Sequence, residues 1–196
     1  MSFFVQKIKV SSKFISRRRV DVIPDYCVGK DVLHIGCMDW PITNYSNNLH
    51  IAVDKVCNSL VGIDVNNENF EEMKGYVSNK ELYVDISKIK NRGFDIMLVP
   101  EVIEHVDNVQ DFLKTLANIK ASKVIITVPD AFLCSRNHFR YLSNSEFVEI
   151  VHPDHNCWFS PYTLKNIVGK FTDWSLEEMF FLENMSIMGV FKTNDV

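Results

Sequence analysis

The sequence of 196 residues predicts an α/β fold, a doubly wound and mostly parallel sheet with helices on both faces. Three observations predict it. Apolar runs of strand length recur between residues 31 and 129, most of them stopped by Gly, Asp or Pro. Segments of helical periodicity alternate with them. The tail then breaks the alternation with two β-rich runs, 173–182 and 185–193, on either side of Glu183–Asn184, the pattern of a closing antiparallel hairpin.

The first strand is expected in DVLHIG (31–36), the second in SLVGIDV (59–65) and a weaker third in ELYVDI (81–86). FDIMLVP (94–100) and KVIITVP (123–129) are the fourth and fifth, ended by Pro100 and Pro129. Such continuous apolar runs suit strands buried on both faces. Residues 45–57 are expected to be helical, with Leu49, Ile51, Ala52, Val53 and Val56 as the apolar positions. Residues 67–77 open on Asn67 and carry acids in the first turn, as a helix start favours. Over 106–119, Val109, Phe112, Leu113 and Leu116 share one face. In 160–171, Ser160 is the expected N-cap and Pro161 the first helical residue. The chain is expected to form one domain, 1–196: an N-terminal helical segment (1–29), a cofactor-binding half (30–130), and acceptor-side helices with the closing hairpin (131–196).

Composition narrows the function. Hydrophobic residues make up 46% and charged residues 23%, which excludes disordered and collagen-like chains. Lys plus Arg is 21 against 25 Asp plus Glu, a net charge of −4 that disfavours a nucleic-acid or anionic-lipid surface. Without an apolar run of about 18 residues, no membrane span is expected. The basic, amphipathic start lacks the apolar stretch and cleavage site of a secretory signal. Cys27, Cys37, Cys57, Cys134 and Cys157 are odd in number and lack C-x-x-C spacing, so free thiols in a reducing cytoplasm are expected.

In a doubly wound sheet, ligands bind at the carboxyl ends of the strands. There the sequence places Gly36-Cys37-Met38-Asp39-Trp40-Pro41, then Asp64 and Asn66, then Asp85, then Pro100-Glu101-Val102-Ile103-Glu104-His105, then Pro129-Asp130. Acids at consecutive strand ends suit a nucleoside: a carboxylate after the second strand can accept both ribose hydroxyls, and one after the third an adenine amine. In this order and spacing, DVLHIGC, LVGIDV, FDIMLVPEVIEHV and VIITVP resemble the class I S-adenosylmethionine-dependent methyltransferases, over about residues 30–170. The EVIEH block and the later HPDHNCWFSPYTL are most similar to a small-molecule branch of that family. The resemblance implies a Rossmann-like, seven-stranded sheet with a reversed last hairpin and S-adenosylmethionine as cofactor. It carries the cofactor contacts onto Gly36, Cys37, Asp64, Val65, Asp85, Ile86 and Pro100, with Asp64 at the ribose and Asp85 near the adenine. The glycine loop departs from the family's D-x-G-x-G-x-G: its four positions are His34, Gly36, Met38 and Trp40.

Glu101, Glu104 and His105 are spaced i, i+3, i+4, which on a helical turn sets them on one face beside the methyl group. As a catalytic set, His105 is a general base oriented by Glu104 or Glu101. As a metal set, Glu101, Glu104, His105 and either His152 or His155 hold a divalent cation, an arrangement similar to that of the small-RNA 2′-O-methyltransferases. As a structural set, the block is only a helix start. Trp158 and Phe159 are candidates for the acceptor wall, and Arg136, His138, Arg140 and Tyr141 for an anionic group on the acceptor. The run Arg17–Arg19 is a solvated charge cluster or a contact for an anion. The expected activity is methyl transfer to an oxygen, less readily a nitrogen, of a small molecule such as a sugar, polysaccharide precursor or phenolic compound. A non-catalytic methyltransferase-like module and a metal-dependent RNA 2′-O-methyltransferase are the alternatives. A nicotinamide enzyme is disfavoured, because G-x-G-x-x-G is absent.

Overall fold

The computed structural model describes residues 4–39, 44–89 and 91–194. Its main sheet has seven strands: β1 (Asp31–Ile35), β2 (Ser59–Ile63), β3 (Glu81–Tyr83), β4 (Gly93–Pro100), β5 (Lys120–Pro129), β8 (Ser175–Leu182) and β9 (Ser186–Lys192). They lie in the order β3-β2-β1-β4-β5-β9-β8. The first five are parallel, and β9 and β8 close the sheet antiparallel. A separate small ribbon pairs β6 (Phe139–Tyr141) with β7 (Phe147–Glu149). The sheet is therefore the one expected, including the reversed hairpin.

Alternation along each strand builds both faces of the core. Leu33, Ile35, Val61, Ile63, Met97 and Val99 pack on one side with Leu113 and Leu116 of α4 (Val109–Ala117) and Leu164 and Val168 of α6 (Pro161–Phe171). Val32, Leu60, Ile96 and Leu98 point the other way, onto Ile23 and Cys27 of α1 (Ile23–Cys27) and Leu49 and Val53 of α2 (Leu49–Asp54). The Ser160 hydroxyl accepts from Thr163 N while Thr163 answers to the Ser160 N–H, a capping box. The helix expected over 45–57 is a 3-10 turn at Tyr45–Asn47 followed by α2, and that over 67–77 shortens to α3 (Phe70–Lys74). Between residues 4 and 29, helical structure is confined to Arg19–Asp21 and Ile23–Cys27. The preceding chain instead runs along the sheet edge. Ser11 exchanges backbone hydrogen bonds with Met179 and Phe181 of β8, which covers the edge. The three-residue connection 183–185 takes positive φ at Glu183 and Asn184 (54° and 55°), and Met185 N closes the turn onto Leu182 O at 3.0 Å.

Sequence reasoning did not pick out α5 (Ala131–His138) or the β6–β7 ribbon. Asp130 caps α5, its carboxylate accepting from Phe132 N at 2.7 Å, and that Asp after a strand was the available signal. Among the described residues no helix is long and apolar enough to cross a membrane.

One polar contact crosses the second core face. His34 of β1 and His50 of α2 are buried with their Nδ1 atoms 3.1 Å apart, so one ring donates to the lone pair of the other. Burial, with the charges of His50 and then Arg19, holds His34 well below the usual imidazole range. Burial pushes His50 down to about 4. Both rings are therefore neutral in the fold, and their contribution to stability is complete above an unfolded pKa near 6.5 and lost as pH falls towards 4. Urea unfolding at pH 7.5 and at pH 4.5 is expected to show this. The stability gap between the wild type and His50→Gln, which keeps a donor and an acceptor but does not titrate, should narrow by on the order of 2 kcal/mol at the lower pH. A gap independent of pH would mean that the pair is not neutral in the fold.

Candidate functional site

Because β1 lies between β2 and β4, the connections leaving it diverge and a cleft opens at the carboxyl end of the sheet. The cleft encloses about 850 Å³, and Gly36, Cys37, Asp64, Val65, Asp85, Ile86 and Pro100 all line it. The structure thus brings every residue expected to touch the cofactor to one cavity. His105 and Glu101 also line it, and so do Arg19 and His34, which sequence reasoning did not assign there.

The glycine-poor loop is held by backbone and by Asp64. Gly36 N donates to Ile63 O at 2.8 Å. Gly36 has φ +71°, and a Cβ on it would lie 2.3 Å from Cγ2 of Val102. Among the described residues of this loop it alone takes positive φ, so Met38 stands where glycine is not needed for conformation. Asp64 accepts from Met38 N at 2.9 Å and Asn66 N at 2.8 Å. Its carboxyl is raised by burial against the pull of these two N–H groups. Asp85 is exposed and accepts from both the backbone N (2.7 Å) and the hydroxyl (2.6 Å) of Ser87. Trp40 and Pro41 lie outside the described residues.

The helical-turn geometry expected for Glu101, Glu104 and His105 is not what forms. β4 ends at Pro100, Glu101 turns to φ +51°, and a non-helical turn closed by His105 N to Val102 O (3.0 Å) precedes α4. The backbone turns at Glu101, whose carboxylate is not among the ligand atoms that Glu104 and His105 bring together with His155. Glu101 Oε1 lies 4.0 Å from Arg19 Nη1 and has no hydrogen-bond partner. Burial raises the Glu101 carboxyl, and Arg19 opposes the rise.

Glu104 is fully buried, and neither carboxylate oxygen has a hydrogen-bond partner. Burial, with Glu101 nearby, pushes its carboxyl up to about 9. The loop after β7 folds over this turn. Asn156 N donates to Glu104 O at 2.7 Å, and Asn156 Nδ2 to His105 O at 3.0 Å. The loop thereby sets the His155 ring edge-on to His105, with centroids 4.5 Å apart. Ligand atoms of Glu104, His105 and His155 all lie within 4.8 Å of one another. Burial lowers the pKa of both rings, with His152 adding to the effect at His105 and His105 at His155. Of the expected metal set, the structure groups these three. His152 is exposed, its ring 5.3 Å from His105 and turned to Asp154 at 3.7 Å.

The remaining candidates divide. Phe159 is 4% exposed, belongs to the core and does not line the cleft. Trp158 is half-buried against Phe139 and His155, and its indole N–H donates to Glu149. Arg136, Arg140 and Tyr141 are exposed on α5 and the β6–β7 ribbon, and none of them lines the cleft.

The order of strands and the cleft at their carboxyl ends are those of the class I S-adenosylmethionine-dependent methyltransferases, and solved structures of such enzymes share the fold. One is an S-adenosylmethionine dependent methyltransferase from Mesorhizobium loti, with 9% identity, 88% of this chain and 99% of that one covered, and a TM-score of 0.57. A second is the N-methyltransferase NodS from Bradyrhizobium japonicum WM9 in complex with S-adenosyl-L-homocysteine, with 12% identity, 90% and 83% covered, and a TM-score of 0.57. A third is the small RNA methyltransferase HEN1, with 15% identity and a TM-score of 0.63, matched over 97% of this chain but 28% of that one. No family model matches the chain, and no curated protein does.

The loop after β1 generates a test. Gly36→Ala places a Cβ against Val102 at a positive φ, and is expected to cost about 1–3 kcal/mol in urea unfolding. An unchanged midpoint would mean that the loop and the turn after β4 separate freely.

Proposed function

We propose that the chain transfers the methyl group of S-adenosylmethionine to a hydroxyl oxygen of an acceptor such as a sugar, a polysaccharide precursor or a phenolic compound, with a divalent cation held by Glu104, His105 and His155. In this reading residues 30–130 carry the donor and residues 131–196 the acceptor. The EVIEH segment after β4 is the mark of the branch to which the chain is assigned. The observation that carries the proposal is Glu104: a buried carboxyl group with both oxygens unpartnered, against two imidazoles biased towards the neutral form. Leaving such a group unsatisfied costs about 1–3 kcal/mol, and a cation removes the deficit. A mixed carboxylate and imidazole set suits Mn²⁺, Zn²⁺ or Fe²⁺ as well as Mg²⁺.

The cation would lower the pKa of an acceptor hydroxyl bound to it. The chain's own groups do the rest. Asp64 and Asp85 fix the nucleoside, and the Gly36 loop lets backbone approach the donor. His105, at the cleft wall, stands where donor and acceptor sites meet, so that the methyl carbon and the attacking oxygen are held in line. If His105 instead takes the hydroxyl proton directly, the same neutral imidazole serves as general base.

A second reading, 2′-O-methylation of an RNA, is favoured by the Glu104–His105–His155 grouping and by the fold likeness to HEN1 across 97% of this chain. The net charge of −4 weighs against it. Calorimetry with Mn²⁺ is expected to show one binding event in the wild type, abolished by Glu104→Gln. Turnover should be lost in EDTA and restored by Mn²⁺, and His105→Ala should lower it roughly 10²–10⁴-fold. Turnover that survives EDTA but falls in His105→Ala would overturn the cation in favour of the general base. Hydroxylated small molecules should accept the labelled methyl, whereas label entering only RNA would move the acceptor to the second reading. Absence of any donor binding would leave a non-catalytic module.

A further inference from the structure

We propose that Arg19 and Glu101 hold the amino-acid end of the methyl donor, the guanidinium taking its α-carboxylate and the Glu101 carboxylate its α-ammonium. The proposal rests on the reading of the cleft as the donor site. The direction of the donor follows from the sheet order. Asp64 and Asp85 follow β2 and β3, on one side of β1, and fix the nucleoside there. The methyl group must leave near His105, beyond β4 on the other side. The rest of the donor, a zwitterionic α-amino acid, then lies over β1 and β4, where Arg19 and Glu101 line the cleft.

Arg19 is brought there by the N-terminal segment. Its backbone N donates to Glu183 Oε1 at 3.0 Å, while Glu183 N and Asn184 N donate to Arg17 O and Ile15 O at 3.1 and 2.6 Å. Of the three consecutive arginines, Arg17 and Arg18 are spent on Asp21: Arg17 Nη2 donates to its carbonyl, and Arg18 grips its carboxylate through two bonds of 2.7 Å. Arg19 makes no side-chain hydrogen bond to any described residue, and among the described residues it is the one Lys or Arg that lines the cleft, beside several acids. Among the described residues its one ion pair is with Glu101 at 4.0 Å, beyond hydrogen-bond reach. The Glu101 oxygen on that side is buried and unpartnered. Two opposite charges are thus each left with unused hydrogen-bonding capacity. A molecule carrying a carboxylate and an ammonium on one carbon satisfies both, with the fork of the guanidinium suited to the carboxylate. This assigns Glu101 to the donor rather than to the cluster of Glu104, His105 and His155.

Calorimetry with S-adenosylhomocysteine and with 5′-methylthioadenosine, which keeps the nucleoside and lacks the amino-acid end, separates the contributions. Arg19→Ala is expected to weaken S-adenosylhomocysteine roughly 10–100-fold and Glu101→Gln about 3–10-fold, with 5′-methylthioadenosine unchanged in both. Asp64→Ala should weaken both ligands. The proposal is overturned if Arg19→Ala weakens the two ligands equally, which would make Arg19 a support of the cleft, or if it weakens neither. A wild type that binds 5′-methylthioadenosine as tightly as S-adenosylhomocysteine overturns it too, while leaving the donor site standing. A wild type that binds neither ligand removes the donor reading itself.

Discussion

The contact between the loop after β1 and the turn after β4 is the constraint on which the site depends. Gly36 sits so close to Val102 that the two connections are locked side by side at the one place where the sheet's crossovers diverge. From that point the cleft extends towards Asp64 and Asp85, and the cluster of Glu104, His105 and His155 lies at the turn. His34 and Met38 need no glycine's conformational freedom, because the only left-handed position among the described loop residues is Gly36 itself. Asp64 makes up for the missing flexibility by tethering Met38 N, so one carboxylate both shapes the loop and faces the cleft.

The turn after β4 has a second consequence. A helical turn would have stacked Glu101, Glu104 and His105 on one face, three ionisable groups competing for one ligand. The left-handed residue at Glu101 sends its carboxylate towards Arg19 and leaves Glu104 with the two histidines. A non-Gly residue at positive φ costs about 1 kcal/mol, and such strain persists where the surroundings over-determine it. Here they do: Glu101 N is fixed to Thr127 O at 2.9 Å, and His105 N closes the turn behind it.

This backbone detail marks the boundary of what the sequence made legible. The five parallel strands and the closing hairpin were readable because burial on both faces leaves unbroken apolar runs and because Glu183–Asn184 interrupts the last two. That Gly36, Asp64 and Asp85 share one cleft was readable because strand ends are where a doubly wound sheet opens its binding crevice. The φ of Glu101 has no sequence signature, since spacing alone fits a helix. Helix α5 and the β6–β7 ribbon escaped notice because their exposed faces carry Phe132 and Tyr141, which blurs any amphipathic pattern. Arg19 was hidden for a different reason. Its place in the cleft is set by Ile15, Arg17 and Glu183, contacts across more than 160 residues that no local pattern encodes.

The polar groups left unsatisfied inside this fold are not scattered. Glu101, Glu104, Thr127 and His155 lie around the turn after β4, and His34 and His50 beneath the cofactor loop. Asn48, two residues from His50, is half satisfied: its Oδ1 caps α2 through Ile51 N, while its Nδ2 has no partner. Asp130, buried at the end of β5, caps α5. A chain selected for stability alone would fill such positions with apolar side chains, since an unpartnered buried carboxylate costs more than it contributes. Their concentration towards one end of the sheet, among the strand ends where a doubly wound sheet binds its ligands, is the physical reason to read the turn after β4 as a binding centre that ligands complete.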